Sequence, residues 1–72
     1  MSTPNSPAAR DAAEAHALLE TELERLAPRR AALGEGGLFE VAAWSLQMAY
    51  EWEAASLAWT RAAECLPLHA PA

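Results

Sequence analysis

One cysteine, Cys65, no lysine and no isoleucine occur among the 72 residues. A lone thiol excludes an intramolecular disulfide and suits a reducing compartment, so a cytoplasmic setting is expected. Basic charge is scarce: five arginines stand against ten carboxylates, for a formal net charge of -5. A surface that grips phosphate needs a basic patch, so direct nucleic-acid binding is not expected. The opening MSTPNSPAAR has no basic region followed by an apolar run. No stretch reaches the ~18 uninterrupted apolar residues of a membrane span. Neither export by a classical signal nor membrane insertion is expected.

Chemistry-bearing constellations are equally sparse. His16, Cys65 and His69 are the only good nitrogen and sulfur ligands. They lack the paired CxxC or HExxH spacing of a metal motif, and no metal or other cofactor is assigned. Cys65 falls at the negative end of a helix dipole, a setting that disfavours a thiolate nucleophile. Glu51 and Glu53 point to different sides of a helix, so they do not form an acid/base pair. Ser45, Ser56 and Thr60 have no base and orienting acid nearby in the sequence. GEGG, residues 34–37, lacks the lysine and the strand-loop-helix setting of a phosphate cradle. No catalytic residue is assigned, and an enzyme is not expected.

What the chain does have is alanine, leucine and three tryptophans. The hydrophobic fraction is 53 %, but 19 of those residues are alanines. Alanine is the best helix former and a poor core filler, so an all-α fold of closely approaching helices is favoured over a sheet. Residues 1–6 read as a disordered tail. A first helix over about 7–33 starts at Ser6-Pro7, a favourable cap followed by a proline at the first helical position. Its apolar stripe is Ala8, Ala12, Ala15, Leu19, Leu23, Leu26 and Leu33. Pro28 should kink or split it. GEGG then provides the turn, because glycine takes positive φ without a Cβ clash.

From Leu38 to Leu66 there is neither glycine nor proline, and Pro67 supplies the stop, with a C-terminal tail at 68–72. The simplest reading is one helix over about 38–66, roughly 43 Å long. A turn near Tyr50 is the alternative. On a continuous helix Val41, Trp44, Met48, Trp52 and Trp59 share a sector about 80 degrees wide. Phe39, Ala43, Leu46, Tyr50 and Leu57 form a second stripe. The expectation is an antiparallel helical hairpin spanning 7–67, with one apolar face covered by the first helix. The other face needs a second copy, giving a dimeric four-helix bundle, or a different protein. A 72-residue chain gains only about 3 to 5 kcal/mol from a single core, which also favours association. Val41, Trp44, Met48, Trp52 and Trp59 are the candidate partner-binding residues. A small helical bundle holding an apolar ligand or a metal is the alternative of another class.

The spacing Phe39-x-x-Ala42-Ala43-x-x-Leu46, followed by Trp52-x-x-Ala55-x-x-x-Trp59-x-x-Ala62 and Pro67, resembles one tetratricopeptide-type helix pair. It is also similar to the ANR family, small bacterial regulators that bind and restrain AraC-type transcription activators. The resemblance covers residues 39–67. It implies a non-enzymatic protein-binding regulator whose target is a transcription activator; a small chaperone or a phage- or plasmid-borne inhibitor fits the same residues. Where the repeat carries a glycine before the aromatic that opens its second helix, this chain has Ala49, Tyr50 and Glu51.

Overall fold

The computed structural model describes residues 11–66, and all of its regular structure is helical. Helix α1 runs over Ala12–Leu26, a 3-10 turn follows at Ala27–Arg29, α2 spans Arg30–Met48 and α3 spans Trp52–Glu64. No strand occurs among the described residues. The expected tails at 1–6 and 68–72 lie outside them.

The first helix begins later than its proline suggested. Asp11 is the cap: its backbone is extended, at φ -78 and ψ 172, and its carboxylate accepts from the Glu14 backbone N–H at 2.8 Å. That bond satisfies one of the orphan donors of the first turn. Ser6-Pro7, the expected start, lies outside the described residues. Pro28 falls inside the 3-10 turn, where the α-helical hydrogen-bond ladder is already interrupted. Gly34 is the one non-helical residue within α2, at φ 78 and ψ 169. A Cβ there would meet nothing within 4 Å, so backbone conformation, and not crowding, makes glycine the fitting residue.

The single helix expected over 38–66 is not what forms. Helix α2 stops at Met48, and the chain turns through Ala49, Tyr50 and Glu51 before α3 begins. Tyr50 is left-handed, with φ 64. Its N–H donates to the Gln47 carbonyl at 3.0 Å, and the Glu51 N–H donates to the Leu46 carbonyl at 2.9 Å. Those two bonds are a Schellman closure, in which the left-handed position is usually glycine. Here a tyrosine holds it, so the sequence carries none of the usual punctuation. Tertiary burial explains the choice. Ala54, Ala55 and Ala58 of α3 are buried in one cluster with Leu38, Ala42, Ala43 and Leu46 of α2. The turn lets one apolar face of 38–66 cover the other, which a straight helix could not do.

The two helices run antiparallel. Gly36 lies beside Cys65, Arg61 stacks over the Phe39 ring at 5.1 Å, and Trp44 meets Trp59. Small residues make this close approach feasible: a Cβ on Gly36 would sit 3.3 Å from the Cys65 Cβ. Helix α1 adds Ala15, Leu19 and Leu26 to the core. Its outer side is tied to α2 by Arg25, whose Nε donates to Glu22 Oε2 at 3.0 Å and whose Nη2 reaches the same oxygen and Ser45 Oγ. The Arg25 guanidinium holds the Glu22 carboxyl below the usual carboxylate range, partly opposed by burial.

The left-handed turn makes a prediction of sign. Glycine at position 50 should give a more stable protein than alanine by about 1 kcal/mol, because alanine keeps the left-handed Cβ clash. In a continuous helix the order reverses by a similar amount. Chemical denaturation of Tyr50→Gly and Tyr50→Ala, compared with each other, reads the difference directly.

Candidate interaction face

Folding 38–66 in two redistributes the tryptophan stripe. On α2, Gly37, Val41, Trp44 and Met48 recur at three- and four-residue steps and line one side of the helix. Leu38, Ala42 and Leu46 occupy the buried side. Trp44 is therefore aimed away from the core and is 51 % exposed; Met48 is 75 % exposed. Val41 is partly buried and packs against the core edge.

Trp59 on α3 comes to the same side from across the seam. It is partly buried, its indole N–H donates to Gln47 Oε1 at 2.9 Å, and its ring meets Trp44 edge-on at 5.4 Å. The Gln47 bond satisfies the one polar atom of the indole and fixes the ring's tilt. Edge-to-face packing on Trp59 in turn limits the motion of the exposed Trp44. Beside these rings lies a hollow of about 290 Å³, with Gly36, Gly37, Ala62 and Ala63 as its small residues and Trp59, Leu66 and Glu40 as its large ones.

Trp52 does not join this group. It is 50 % exposed, packs edge-on with Tyr50 at 5.7 Å, and borders a separate hollow with Ala12 and Ala15 of α1. The five expected partner-binding residues thus divide: Val41, Trp44, Met48 and Trp59 share the α2/α3 face, and Trp52 belongs to the hairpin tip with Tyr50. Tyr50 itself, exposed and left-handed, was not among the expected site residues. No sequence signal marks it, because its exposure follows from the turn.

The ligating side chains are dispersed. His16 Nδ1 lies 3.0 Å from the Ala12 carbonyl on the exposed side of α1, and Cys65 is an exposed free thiol. His69 lies outside the described residues. No group of three or more His, Cys, Asp or Glu that could hold a metal occurs among the described residues. No helix among them is long and apolar enough to cross a membrane.

Charge is distributed unevenly. Arg25 is paired with Glu22, Arg30 with Glu35 at 2.6 Å, and Arg61 with Glu64 at 3.6 Å. Three arginines are thereby neutralised within the chain. The Glu40 carboxylate, beside the rings, has no hydrogen bond or ion pair with the described residues, and it is the only charged side chain lining the hollow.

Comparison of the chain with protein-family models, with curated protein sequences and with solved structures finds no match.

Proposed function

We propose that the protein is a non-enzymatic protein-interaction module that acts by occupying a partner through the α2/α3 face of Val41, Trp44, Met48 and Trp59. One observation carries this reading: Trp44 is half exposed although an apolar core lies one helix side away. Tryptophan and methionine are enriched in protein interfaces, and tryptophan dominates binding hot spots. The ring is also held in place by Trp59, so little side-chain freedom is left to lose on binding.

Pockets for drug-sized molecules enclose most of the ligand. The hollow is an open surface trough beside the half-exposed Trp44, a shape that suits a side-chain anchor from another polypeptide. The resemblance over residues 39–67 suggests one kind of target, a transcription activator restrained by occupancy. A second copy of this chain, which would make a four-helix or larger helical assembly, is the other occupant of this face.

Site-specific photo-crosslinking tests the reading. A photoreactive phenylalanine at position 44 should give a covalent adduct in the producing cell, and one at Glu20 on the exposed side of α1 should give none. Equal labelling at both positions, or none at 44, would reject an interaction face here.

A further inference from the structure

We infer that the α2/α3 groove is built for a basic amphipathic helix of a different protein, with one apolar side chain seated over Gly37 and a cationic one on Glu40. This deepens the interaction-face reading and rests on it.

The groove is an apolar trough with a single charge in it. Gly37 and Ala62 keep its floor low, Trp59 and Leu66 stand as walls, and Glu40 is the one ionisable side chain that reaches it. A low floor is not demanded by the fold at Gly37. A Cβ there would touch only the Leu33 Cβ, at 3.4 Å, the edge of ordinary contact. Gly36 differs, because its Cβ would press on Cys65 at 3.3 Å. Glycine inside a helix costs roughly 0.5–1 kcal/mol relative to alanine. At position 37 the visible consequence is space for something from outside.

Charge decides between the occupants. Any partner that fills the trough removes water from around Glu40, and a carboxylate so desolvated needs a cation. A second copy cannot supply it easily. A twofold interface is isologous, so the same patch, with its own Glu40, would face the first. Three of the four arginines in the described residues are held by carboxylates of the chain itself. Both copies would also carry a net charge of -5. A helix with an apolar stripe flanked by lysine or arginine meets each requirement, and the helix-in-groove mode reads anchors at three- and four-residue steps like those of Gly37, Val41, Trp44 and Met48.

The test uses the full chain and two synthetic peptides of about 18 residues, five helical turns. Both have leucine on one face; one has lysine on the flanks and the other glutamate. Tryptophan fluorescence follows the titration, since Trp59 lines the groove and Trp44 meets its ring edge-on. The lysine peptide should bind saturably at one to one and the glutamate peptide should not. Glu40→Gln should weaken the lysine peptide at least about fivefold, whereas Glu20→Gln, the same charge change on α1, should alter it less than about twofold. Gly37→Leu, with helicity checked by circular dichroism, should weaken it at least about tenfold. Equal loss from Glu40→Gln and Glu20→Gln would reduce the binding to overall charge and overturn the inference. A wild-type dimer in sedimentation that Gly37→Leu separates would also overturn it, by placing a second copy in the groove, while leaving the interaction face intact. Absence of both peptide binding and crosslinking at position 44 would remove inference and face together.

Discussion

Leu38→Ala should unfold most of the protein at room temperature. Leu38 is 0 % exposed and is the largest fully enclosed side chain among the described residues. Truncating such a leucine removes its transfer free energy and leaves a cavity, at a cost of about 2–5 kcal/mol. A domain of this size has only about 3 to 5 kcal/mol from its core. The surroundings can relax little, since Ala42, Ala43 and Ala58 in the same cluster are also 0 % exposed and have no side chain long enough to swing into the void. Far-ultraviolet circular dichroism at 25 °C should show the helical signal largely lost. Retention of a cooperative transition within about 1 kcal/mol of wild type would mean that Leu38 is not the centre of the core.

Trp44→Ala should separate binding from folding. Half of the ring is already in water, and its only described ring contact is the edge-on meeting with Trp59, so about 0.5–1.5 kcal/mol of stability is lost. Affinity for the partner crosslinked at position 44 should fall by at least about 2 kcal/mol, roughly 30-fold. Trp59→Ala should behave differently, because Trp59 packs on the core and its indole N–H engages Gln47. Stability and affinity should fall together there. Calorimetric titration beside thermal unfolding distinguishes the two; a Trp44→Ala protein that binds normally would exclude the α2/α3 face as the contact.

The sequence marks interruptions at Pro28 and Gly34 because proline and glycine act locally, but the turn expected over GEGG narrows to Gly34, since Glu35, Gly36 and Gly37 are helical residues of α2. Pro28 removes a backbone donor wherever it stands, and Gly34 alone can take φ 78 at no steric cost. The cap at Asp11 was not read from the sequence, where Ser6-Pro7 carried the expected start, although Asp11-x-x-Glu14 is itself a helix-start pattern. The turn at Tyr50 was legible only as the alternative to one continuous helix, and it is the alternative that forms. Nothing in Ala49-Tyr50-Glu51 prevents a helix from continuing, and what stops it is long-range: the alanines of α3 find the alanines of α2. That one event also decides the site. Plotted on a straight helix, Val41, Trp44, Met48, Trp52 and Trp59 form one ridge; folded back at Tyr50, Trp44 and Trp59 meet across the seam and Trp52 leaves with the tip. Helical periodicity identifies which residues share a face only within one helix, so the composition of the face depends on where the helix ends.

The close packing of α2 on α3 underlies the groove, the placement of Trp44 and the exposure of Glu40, and a single engineered thiol reads it. Cys65 is the chain's only cysteine, and a Cβ at position 36 would lie 3.3 Å from the Cys65 Cβ, a few tenths of an ångström short of the usual disulfide separation. Under mild oxidation Gly36→Cys should close an intramolecular disulfide in nearly every molecule, seen as a monomer that has lost two hydrogens and no longer reacts with a thiol reagent. In an unbroken helix the two positions would be about 43 Å apart. Free thiols throughout, or crosslinks only between chains, would contradict the folded-back pair and everything built on it.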